Sequence, residues 1–205
     1  MSSHFVSRAS FALAGLVGLG GCTPHLDSDG PLALNEYELP SNTWPVGELP
    51  PPELAEEGFR IDQVARDIRA VDQFGDEVSL WQFYGMVIAL DISTIWCAPC
   101  RQLATEVDEV QEHFGEDDFI YLTLLPQNDA GDIPTTEDLV GWGEDWGVSG
   151  PILSDIDGFS SEVVPEGEAY PAIVVIGRDM VVDVDKVTPA EDSAIRAAIQ
   201  ASLDD

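Results

Sequence analysis

Basic residues are scarce in this 205-residue chain: eight lysines and arginines stand against 39 aspartates and glutamates, for a formal net charge of −31. Lys186 is the single lysine. Nucleic-acid binding requires clustered lysine and arginine to meet the phosphates, so this class of function is excluded. A basic membrane-binding face is excluded for the same reason. The composition fits either a solvated acidic surface or adaptation to high salt, in which the repulsion between carboxylates is screened.

The apolar run near the N-terminus is short for a membrane span of about 20 residues. Its sequence, "ASFALAGLVGLGG", follows His4 and Arg8 and ends in Leu-Gly-Gly-Cys at residues 19–22. This ending resembles a bacterial lipobox, in which the signal is cut before the cysteine and the cysteine receives lipid. We therefore expect residues 1–21 to be a signal peptide and Cys22 to anchor the protein by lipid on the extracytoplasmic face of the bacterial cell envelope. An ordinary signal peptide that leaves Cys22 as a spare thiol is the alternative.

Residues 22–58 are rich in proline and acidic side chains and show no periodicity. The run Pro50-Pro51-Pro52 favours an extended, semi-rigid backbone. This composition predicts a tether between the lipidated Cys22 and a folded domain at 59–205. Tyr37 and Trp44 are candidates to dock on that domain, although the pattern does not require it.

Strand patterns form two hairpins and two buried runs within residues 59–205. The first hairpin turns at Gly75-Asp76 in "DIRAVDQFGDEVSLWQF". The runs "MVIALDIS" (86–93) and "FIYLTLL" (119–125) are apolar enough to fill the middle of a sheet. The second hairpin joins "AIVVIG" (172–177) to "MVVDV" (180–184). The sequence therefore predicts a sheet that begins and ends with a hairpin.

Three segments carry helix patterns. After Cys97, apolar residues recur at helical spacing and predict one helix with one buried stripe, formed by Leu103, Val107, Val110 and Phe114. A second helix opens at Thr135 with acidic residues in its first turn and runs through Trp146. Residues 188–191, Thr-Pro-Ala-Glu, combine an N-cap, a first-turn proline and a capping-box glutamate, so a final helix is predicted from there towards Leu203.

The order of these patterns indicates an α/β fold. Alternating strands and helices imply parallel strand pairing, and the closing hairpin adds antiparallel strands. We therefore expect a central mixed β-sheet with helices on both faces.

Cys97 and Cys100 form a Cys-x-x-Cys pair, for which three roles are open. A zinc site needs four ligands, usually from a second such pair or two histidines. That role is disfavoured because only His113 lies outside the predicted signal and tether, so no metal is expected. A structural disulfide across two residues closes too small a loop to stabilise much. The third role is redox chemistry, in a compartment where disulfides persist.

The position of the pair favours the redox role. The pair follows a buried strand and opens a helix, so the thiol of Cys97 faces unpaired backbone N–H groups and the positive end of the helix dipole. Both effects stabilise thiolate and lower a cysteine pKa. Cys100, one turn later, is placed to attack a mixed disulfide on Cys97. Pro99 is tolerated because the first turn loses no intrahelical donor there.

The segment "LDISTIWCAPCRQL" resembles the active site of the thioredoxin superfamily, which has Trp-Cys-x-x-Cys at the end of a central strand. The preceding hairpin, the longer stretch after the pair and the lipobox make the chain similar to TlpA/ResA-like extracytoplasmic thiol–disulfide oxidoreductases. The resemblance extends from about Phe59 to Leu203. It implies a thioredoxin-like fold with an N-terminal β-hairpin and a central insertion, and an enzyme that needs no cofactor.

The resemblance also assigns roles to single residues. Cys97 attacks a partner disulfide and Cys100 resolves the mixed disulfide. Asp91, six residues before Cys97, matches the family's buried carboxylate, whose pKa burial raises so that it can accept the proton of the resolving cysteine. A solvated aspartate at a strand end is the alternative for Asp91.

Four further residues are expected to form the substrate surface: Trp96, Pro99, Tyr170 and Pro171. Pro171 matches the family's cis-proline, which leaves the preceding backbone free to pair with a substrate chain. Tyr170 stands where relatives often have threonine or valine, and "DISTIW" lacks the aromatic run common before the motif. The implied partners are protein thiols and disulfides of the cell envelope, and the protein is expected to be a monomer. Cytochrome c maturation is the first process that the resemblance suggests.

Two functions from other classes remain open. A copper-handling lipoprotein of this fold could bind Cu(I) through the two thiolates, since Cu(I) prefers soft ligands. Relatives of that kind usually carry a histidine after the closing hairpin, and no histidine follows His113. A non-catalytic scaffold lipoprotein is the second alternative, for which retention of Cys97, Cys100, Asp91 and Pro171 would serve no purpose.

Overall fold

The computed structural model describes residues 37–115 and 118–205, so Cys22, the predicted signal and residues 22–36 of the predicted tether lie outside the described residues. The strands are β1 (Arg69–Asp72), β2 (Glu77–Ser79), β3 (Val87–Ile92), β4 (Phe119–Leu125), β5 (Ile152–Ser154), β6 (Ala172–Ile176) and β7 (Val182–Val184). The helices are a 3₁₀ helix (Leu80–Phe83), α1 (Ala98–Ala104), α2 (Val107–Phe114), α3 (Thr136–Trp146), α4 (Ser160–Val163) and α5 (Asp192–Asp204).

The seven strands form one mixed sheet in the order β2-β1-β5-β4-β3-β6-β7. β3, β4 and β5 are parallel, and all other neighbours pair antiparallel. Both predicted hairpins are present, as β1–β2 and β6–β7. The insertion between β4 and β6 contains α3, β5 and α4. The prediction of a thioredoxin-like α/β fold is therefore confirmed.

The continuous apolar runs become strands that are buried on both sides. All residues of β3 and β4 are buried. Since side chains alternate along a strand, Ile88, Leu90 and Ile92 pack on one face of the sheet, and Val87 and Ala89 pack on the other. The second of these faces also holds Cys97 and Cys100, and we call it the cysteine face.

The helices cover the two faces unequally. α1, α2, α3 and α5 all pack their apolar stripes on the cysteine face. The opposite face is covered by the 3₁₀ helix, by α4 and by the chain around Phe59, Ala65 and Ile68. Helices therefore lie on both faces as predicted, with the longer ones gathered on the side of the cysteines.

The described part of the predicted tether, residues 37–58, packs on the domain. The Tyr37 hydroxyl shares a hydrogen bond with Ser79 Oγ at 2.9 Å, and Trp44 Nε1 donates to Asp72 Oδ2 at 2.6 Å. Gly47 N donates to Gln82 O, and a Cβ on Gly47 would lie 2.1 Å from a carbonyl oxygen, so only glycine permits this approach. Tyr37 and Trp44 therefore both dock on the domain, and residues 37–58 pack against its surface.

One predicted helix is divided in two. The stripe Leu103, Val107, Val110 and Phe114 is buried as expected, yet the helix stops at Ala104 and resumes at Val107. At the break, Thr105 Oγ1 donates to Gln102 O at 2.7 Å, and Glu106 N bonds Leu103 O, three residues back. A threonine bonding back onto the preceding turn tightens and bends a helix, which accounts for the break.

The prediction that the last helix is capped by Thr188 was wrong. α5 begins at Asp192, and its N-cap is Glu191, which makes no side-chain cap hydrogen bond. Val187 is buried and its N–H donates to Ile173 O at 2.9 Å, so the chain is still held against β6 at that point. This attachment delays the helix by about one turn.

Within residues 37–115 and 118–205, no helix combines the length and the hydropathy that a membrane crossing requires.

Candidate redox site

The site stands where β3 ends and α1 begins. Cys97 and Cys100 are joined by a disulfide, with their Cα atoms 5.2 Å apart. Cys97 is the N-cap of α1, and its sulfur accepts a hydrogen bond from Cys100 N at 3.2 Å. Pro99 lies in the first turn, where a missing N–H costs no intrahelical bond. The sulfur of Cys97 is therefore aimed at unpaired backbone donors, as the sequence predicted.

The two cysteines differ in access. Cys97 is 4% exposed and is followed by the exposed residues Ala98 and Pro99, whereas Cys100 is fully buried against the cysteine face. A partner disulfide can therefore approach Cys97 from solvent but cannot approach Cys100. Of the two sulfurs, that of Cys97 is therefore the more accessible.

The loop before β6 lies beside the disulfide. β6 pairs with β3 so that Ala172 is opposite Ile92, which brings the preceding residues next to the start of α1. The Tyr170–Pro171 peptide bond is cis, as predicted. The carbonyl oxygen of Tyr170 lies 3.7 Å from Cys97 Sγ. Four of the residues expected from the sequence, Cys97, Cys100, Tyr170 and Pro171, thus meet at one edge of the sheet.

Trp96 forms the exposed rim of the site. Its side chain is 47% exposed and its ring meets the Tyr170 ring edge-on, with centroids 6.0 Å apart. Trp96 Nε1 donates to Gln127 Oε1 at 3.0 Å. Gln127 follows β4, so its part in orienting Trp96 depends on parallel pairing of β3 with β4 and carried no local signal in the sequence.

Arg101 fastens the loop that carries the first cysteine. Its Nε donates to Ile95 O at 2.6 Å, and its Nη2 donates to Asp129 Oδ1 at 2.9 Å. The guanidinium therefore links α1 to the loops that follow β3 and β4. Sequence reasoning missed this residue, because its partners are a backbone carbonyl and a residue 28 positions away.

Asp91 is a buried acid on the cysteine face. It alternates with Val87 and Ala89 along β3 and is 1% exposed. Burial raises the pKa of its carboxyl group to about 7, because the charged form loses its hydration; a hydrogen bond from Ser93 opposes the rise. Ser93 Oγ donates to Asp91 Oδ1 at 2.7 Å. The solvated alternative for Asp91 is thereby excluded.

Asp91 has incomplete hydrogen bonding. Among the described residues its Oδ2 has no hydrogen-bond partner, and neither does the hydroxyl of the buried Tyr121. Tyr121 faces the carboxyl group closely enough to lower the Asp91 pKa slightly, although the geometry of a full hydrogen bond is not reached. The carboxyl group therefore keeps an oxygen available for a proton.

The described residues contain no group of three or more histidine, cysteine, aspartate or glutamate side chains arranged to hold a metal ion. The two cysteine sulfurs are bonded to each other. The chemistry open to this arrangement is thiol–disulfide exchange, which needs the two sulfurs and a proton acceptor.

Comparison with known proteins supports the fold. The sequence matches no protein-family model and no curated protein sequence. Among solved structures, it is similar to a proposed thiol:disulfide interchange protein DsbE from Chlorobium tepidum, at 23% identity and a TM-score of 0.58 over 70% of this chain and 98% of that one.

Two further structures have the same architecture. A secreted thiol-disulfide isomerase from Corynebacterium glutamicum shares 15% identity at a TM-score of 0.58, over 70% of this chain and 86% of that one. A secreted Mycobacterium tuberculosis disulfide oxidoreductase homologous to E. coli DsbE shares 16% identity at a TM-score of 0.53, over 66% and 96%. The chain therefore has the thioredoxin-like fold of these interchange proteins, with a Cys-x-x-Cys disulfide at the end of its central strand.

Proposed function

We propose that this protein is a thiol–disulfide oxidoreductase that exchanges disulfides with extracytoplasmic proteins. The observation that carries the proposal is the asymmetric pair. Cys97 is approachable at a helix N-terminus, whereas Cys100 is fully buried on the same face of the sheet as Asp91, a buried acid with a raised pKa. A structural disulfide would need neither this asymmetry nor the acid. No observation favours the copper-handling or scaffold alternatives.

The exchange runs in two steps when the reduced pair meets a partner disulfide. Cys97 thiolate attacks one partner sulfur, so a mixed disulfide forms and the first partner thiolate leaves. Cys100 then attacks Cys97 Sγ, the internal disulfide forms and the second partner thiolate leaves. The pair loses two electrons and the partner gains them. Run in reverse, the same steps oxidise a partner dithiol.

Asp91 is the proton acceptor for the second step in this proposal. Cys100 is fully buried, so its thiol cannot pass a proton directly to bulk water. An acid whose pKa is about 7 can accept a proton at neutral pH and return it later, which is the range in which general acid–base catalysis is most effective. Pro171 and Tyr170 would present their backbone to the partner chain, and Trp96 and Pro99 would form the rim of the docking surface.

The proposal is tested by trapping. Cys100→Ser incubated with a disulfide-bonded protein should accumulate a mixed disulfide through Cys97, because the attacking thiol remains and the resolving thiol is lost. Cys97→Ser is the matched control and should trap little, since its remaining thiol is buried. Equal trapping by the two variants would contradict the assigned roles, and absence of exchange by the wild-type chain would contradict the function.

The site of action is a separate part of the proposal. The lipobox-like ending at residues 19–22 supports cleavage before Cys22 and lipid attachment to its sulfur, which would hold the domain at the extracytoplasmic face of a bacterial membrane. Cys22→Ser should then release the protein from the membrane fraction while leaving exchange by the purified protein intact. Mass spectrometry that finds an uncleaved N-terminus or an unlipidated Cys22 would contradict this part. Cytochrome c maturation is the first process in which to seek partners.

A further inference from the structure

Three exposed apolar side chains lie at the edge of the sheet that carries the disulfide. Trp96 follows β3, Ile133 follows β4 and Ile156 follows β5, and these three parallel strands are neighbours. The side chains are 47%, 52% and 53% exposed, respectively. Because the carboxyl ends of parallel strands meet at one edge, the three side chains belong to the same end of the domain as Cys97.

Contacts connect these loops into one surface. Ile95 N donates to Gln127 O at 3.0 Å, which joins the loop of Trp96 to the loop after β4. Ser154 Oγ donates to the carbonyl oxygen of Pro134 at 2.8 Å, which joins the residue after Ile133 to the end of β5. We call the side chains of Trp96, Tyr170, Ile156 and Ile133 the apolar patch.

Tyr170 joins the patch to the disulfide. Its ring contacts Trp96 edge-on, and its carbonyl oxygen is 3.7 Å from Cys97 Sγ. Its hydroxyl interacts with Ser160 and Asp155, the second of which directly precedes Ile156. The apolar patch therefore extends from the attacking sulfur across the loops that follow β4 and β5.

The rim of the patch is acidic. The exposed acids in the loops at this edge are Asp129, Asp132, Asp157, Glu166 and Glu168. The basic side chains near these acids are already engaged. Arg101 binds Asp129 at 2.9 Å and Lys186 binds Glu168 at 2.6 Å, and Arg60, which interacts electrostatically with Glu168, lies 3.8 Å from Asp185. A partner that approaches this edge therefore meets an apolar centre surrounded by net negative charge.

We propose that the apolar patch and its acidic rim dock a protein segment in which the reactive cysteine is flanked by apolar and by lysine or arginine side chains. The proposal rests on the proposed exchange activity and names the class of its substrate. Apolar side chains of the segment would cover Ile133 and Ile156 beside the mixed disulfide, while its cations would pair with the rim. Charge complementarity of this kind accelerates encounter and selects among partners.

Scattered exposed apolar residues are ordinary on protein surfaces, and this chain has others, such as Ile61 at 52% exposure. The apolar patch differs because its members share one edge with the reactive sulfur. Ile61 precedes Asp62, whose N–H donates to Val182 in β7, and three strands (β6, β3 and β4) separate β7 from β5, which Ile156 follows. It is therefore a matched control, identical in residue type and nearly identical in exposure.

The experiment measures exchange rates of the full chain with three disulfides. Two are peptides with the same apolar residues around one disulfide, flanked either by lysine and arginine or by glutamate and aspartate. The third is the neutral small molecule hydroxyethyl disulfide. At low salt the basic peptide should react roughly tenfold or more faster than the acidic peptide. In about 1 M salt the two rates should converge, because the screening length for charge–charge interactions falls to about 3 Å.

Substitution tests the apolar centre separately. The double variant Ile133→Ser/Ile156→Ser should react several-fold more slowly with both peptides, because each buried methylene contributes to docking. Its rate with hydroxyethyl disulfide should be unchanged, which also shows that the disulfide site is folded. Ile61→Ser should match the wild type with all three disulfides.

The outcomes separate the two proposals. If the wild-type chain exchanges with none of the three disulfides, the proposed function fails. If it exchanges with hydroxyethyl disulfide but treats the two peptides alike at low salt, or prefers the acidic one, the docking proposal is overturned while the function stands. The docking proposal is likewise overturned if the double variant and Ile61→Ser react equally fast with the peptides.

Discussion

Three aspartates are buried among the described residues, and two of them, Asp72 and Asp91, have contrasting surroundings. Asp72, at the end of β1, is 0% exposed, and Asp91, in β3, is 1% exposed. Asp72 Oδ1 accepts hydrogen bonds from the N–H groups of Phe74 and Asp76, each at 2.9 Å, and its Oδ2 accepts one from Trp44. Asp91 receives one, from Ser93 at 2.7 Å.

The difference separates a structural acid from a reactive one. Three donors replace the hydrogen bonds to water that the Asp72 side chain loses, and one of them ties the segment around Trp44 to the first hairpin. A single hydroxyl cannot do this for Asp91, so burial favours its protonated form and raises its pKa. Burial alone therefore does not identify a proton acceptor. The number of hydrogen-bond donors that face the carboxylate distinguishes Asp91 from Asp72.

The largest expected effect on stability is that of Asp72→Ala. The substitution leaves the Trp44 indole N–H and two backbone N–H groups without their acceptor, which should lower the free energy of unfolding by about 3–5 kcal/mol. Urea denaturation measures the loss. Glu77→Ala on the same hairpin is the control: its Arg69 ion pair is exposed, so a change of about 0.5 kcal/mol or less is expected. Equal losses would mean that Asp72 does not hold the hairpin.

Asp91→Asn should instead increase the free energy of unfolding. The Asp91 pKa of about 7 is above the unfolded value of about 4, so the folded chain holds its proton more tightly and the wild type loses stability as the pH rises from about 4 to 7. The variant escapes this loss. In the oxidised form it should be more stable than the wild type by roughly 2–4 kcal/mol at pH 8, with the advantage fading towards pH 4.

Denaturation of both proteins at several pH values measures this difference. The exposed Asp157→Asn serves as the control, and its curve should run parallel to that of the wild type. A stability advantage of Asp91→Asn that does not change with pH would contradict the assignment of the raised pKa to burial.

Trp44→Phe tests the hydrogen bond that the Trp44 indole donates to Asp72. The variant keeps an aromatic ring to stack on Phe74 but loses the indole N–H that donates to Asp72, so a cost of about 1–2 kcal/mol is expected. In the Asp72→Ala background the same substitution should cost clearly less, because its acceptor is already gone. Additive losses in this double-mutant cycle would place the effect of Trp44 elsewhere.

Ser93→Ala should have the smallest effect of these substitutions, and it acts on Asp91. Removal of the one donor to Asp91 raises the pKa of that acid further, so the pH midpoint of thiol resolution should move upward. The neighbouring Thr94→Val is the control, since the buried Thr94 hydroxyl has no hydrogen-bond partner among the described residues. A downward shift with Ser93→Ala, or equal shifts in the two variants, would contradict this role of Ser93.

Much of the frame could be predicted from the sequence because its signals are local. The buried runs that became β3 and β4 and the two hairpins each lie within a short stretch, and the Cys-x-x-Cys pair adjoins one of them. Asp91 could be suspected because it interrupts an apolar run. Ser93, two residues later and just past the end of β3, could have been added by extending the strand alternation by one residue.

The rest depended on contacts between distant residues. Trp44 reaches Asp72 from 28 positions away, so neither the packing of 37–58 nor the burial of Asp72 had a local signal. β5 has three residues, too few for a strand pattern. The start of α5 was misplaced because a capping-box sequence at 188–191 competes with the attachment of Val187 to Ile173, and tertiary contact overrode local propensity.

The most direct test of the account is the rate at which Cys100 resolves a preformed mixed disulfide on Cys97, measured by stopped flow from pH 5 to 9. For the wild type, the rate should rise with a midpoint near pH 7, as Asp91 ionises and becomes able to accept the Cys100 proton. Asp91→Asn should lack that step, resolve roughly 10- to 100-fold more slowly at pH 7 and approach the wild type near pH 9, where hydroxide deprotonates the thiol. Superimposable pH–rate profiles for the two proteins would contradict the account.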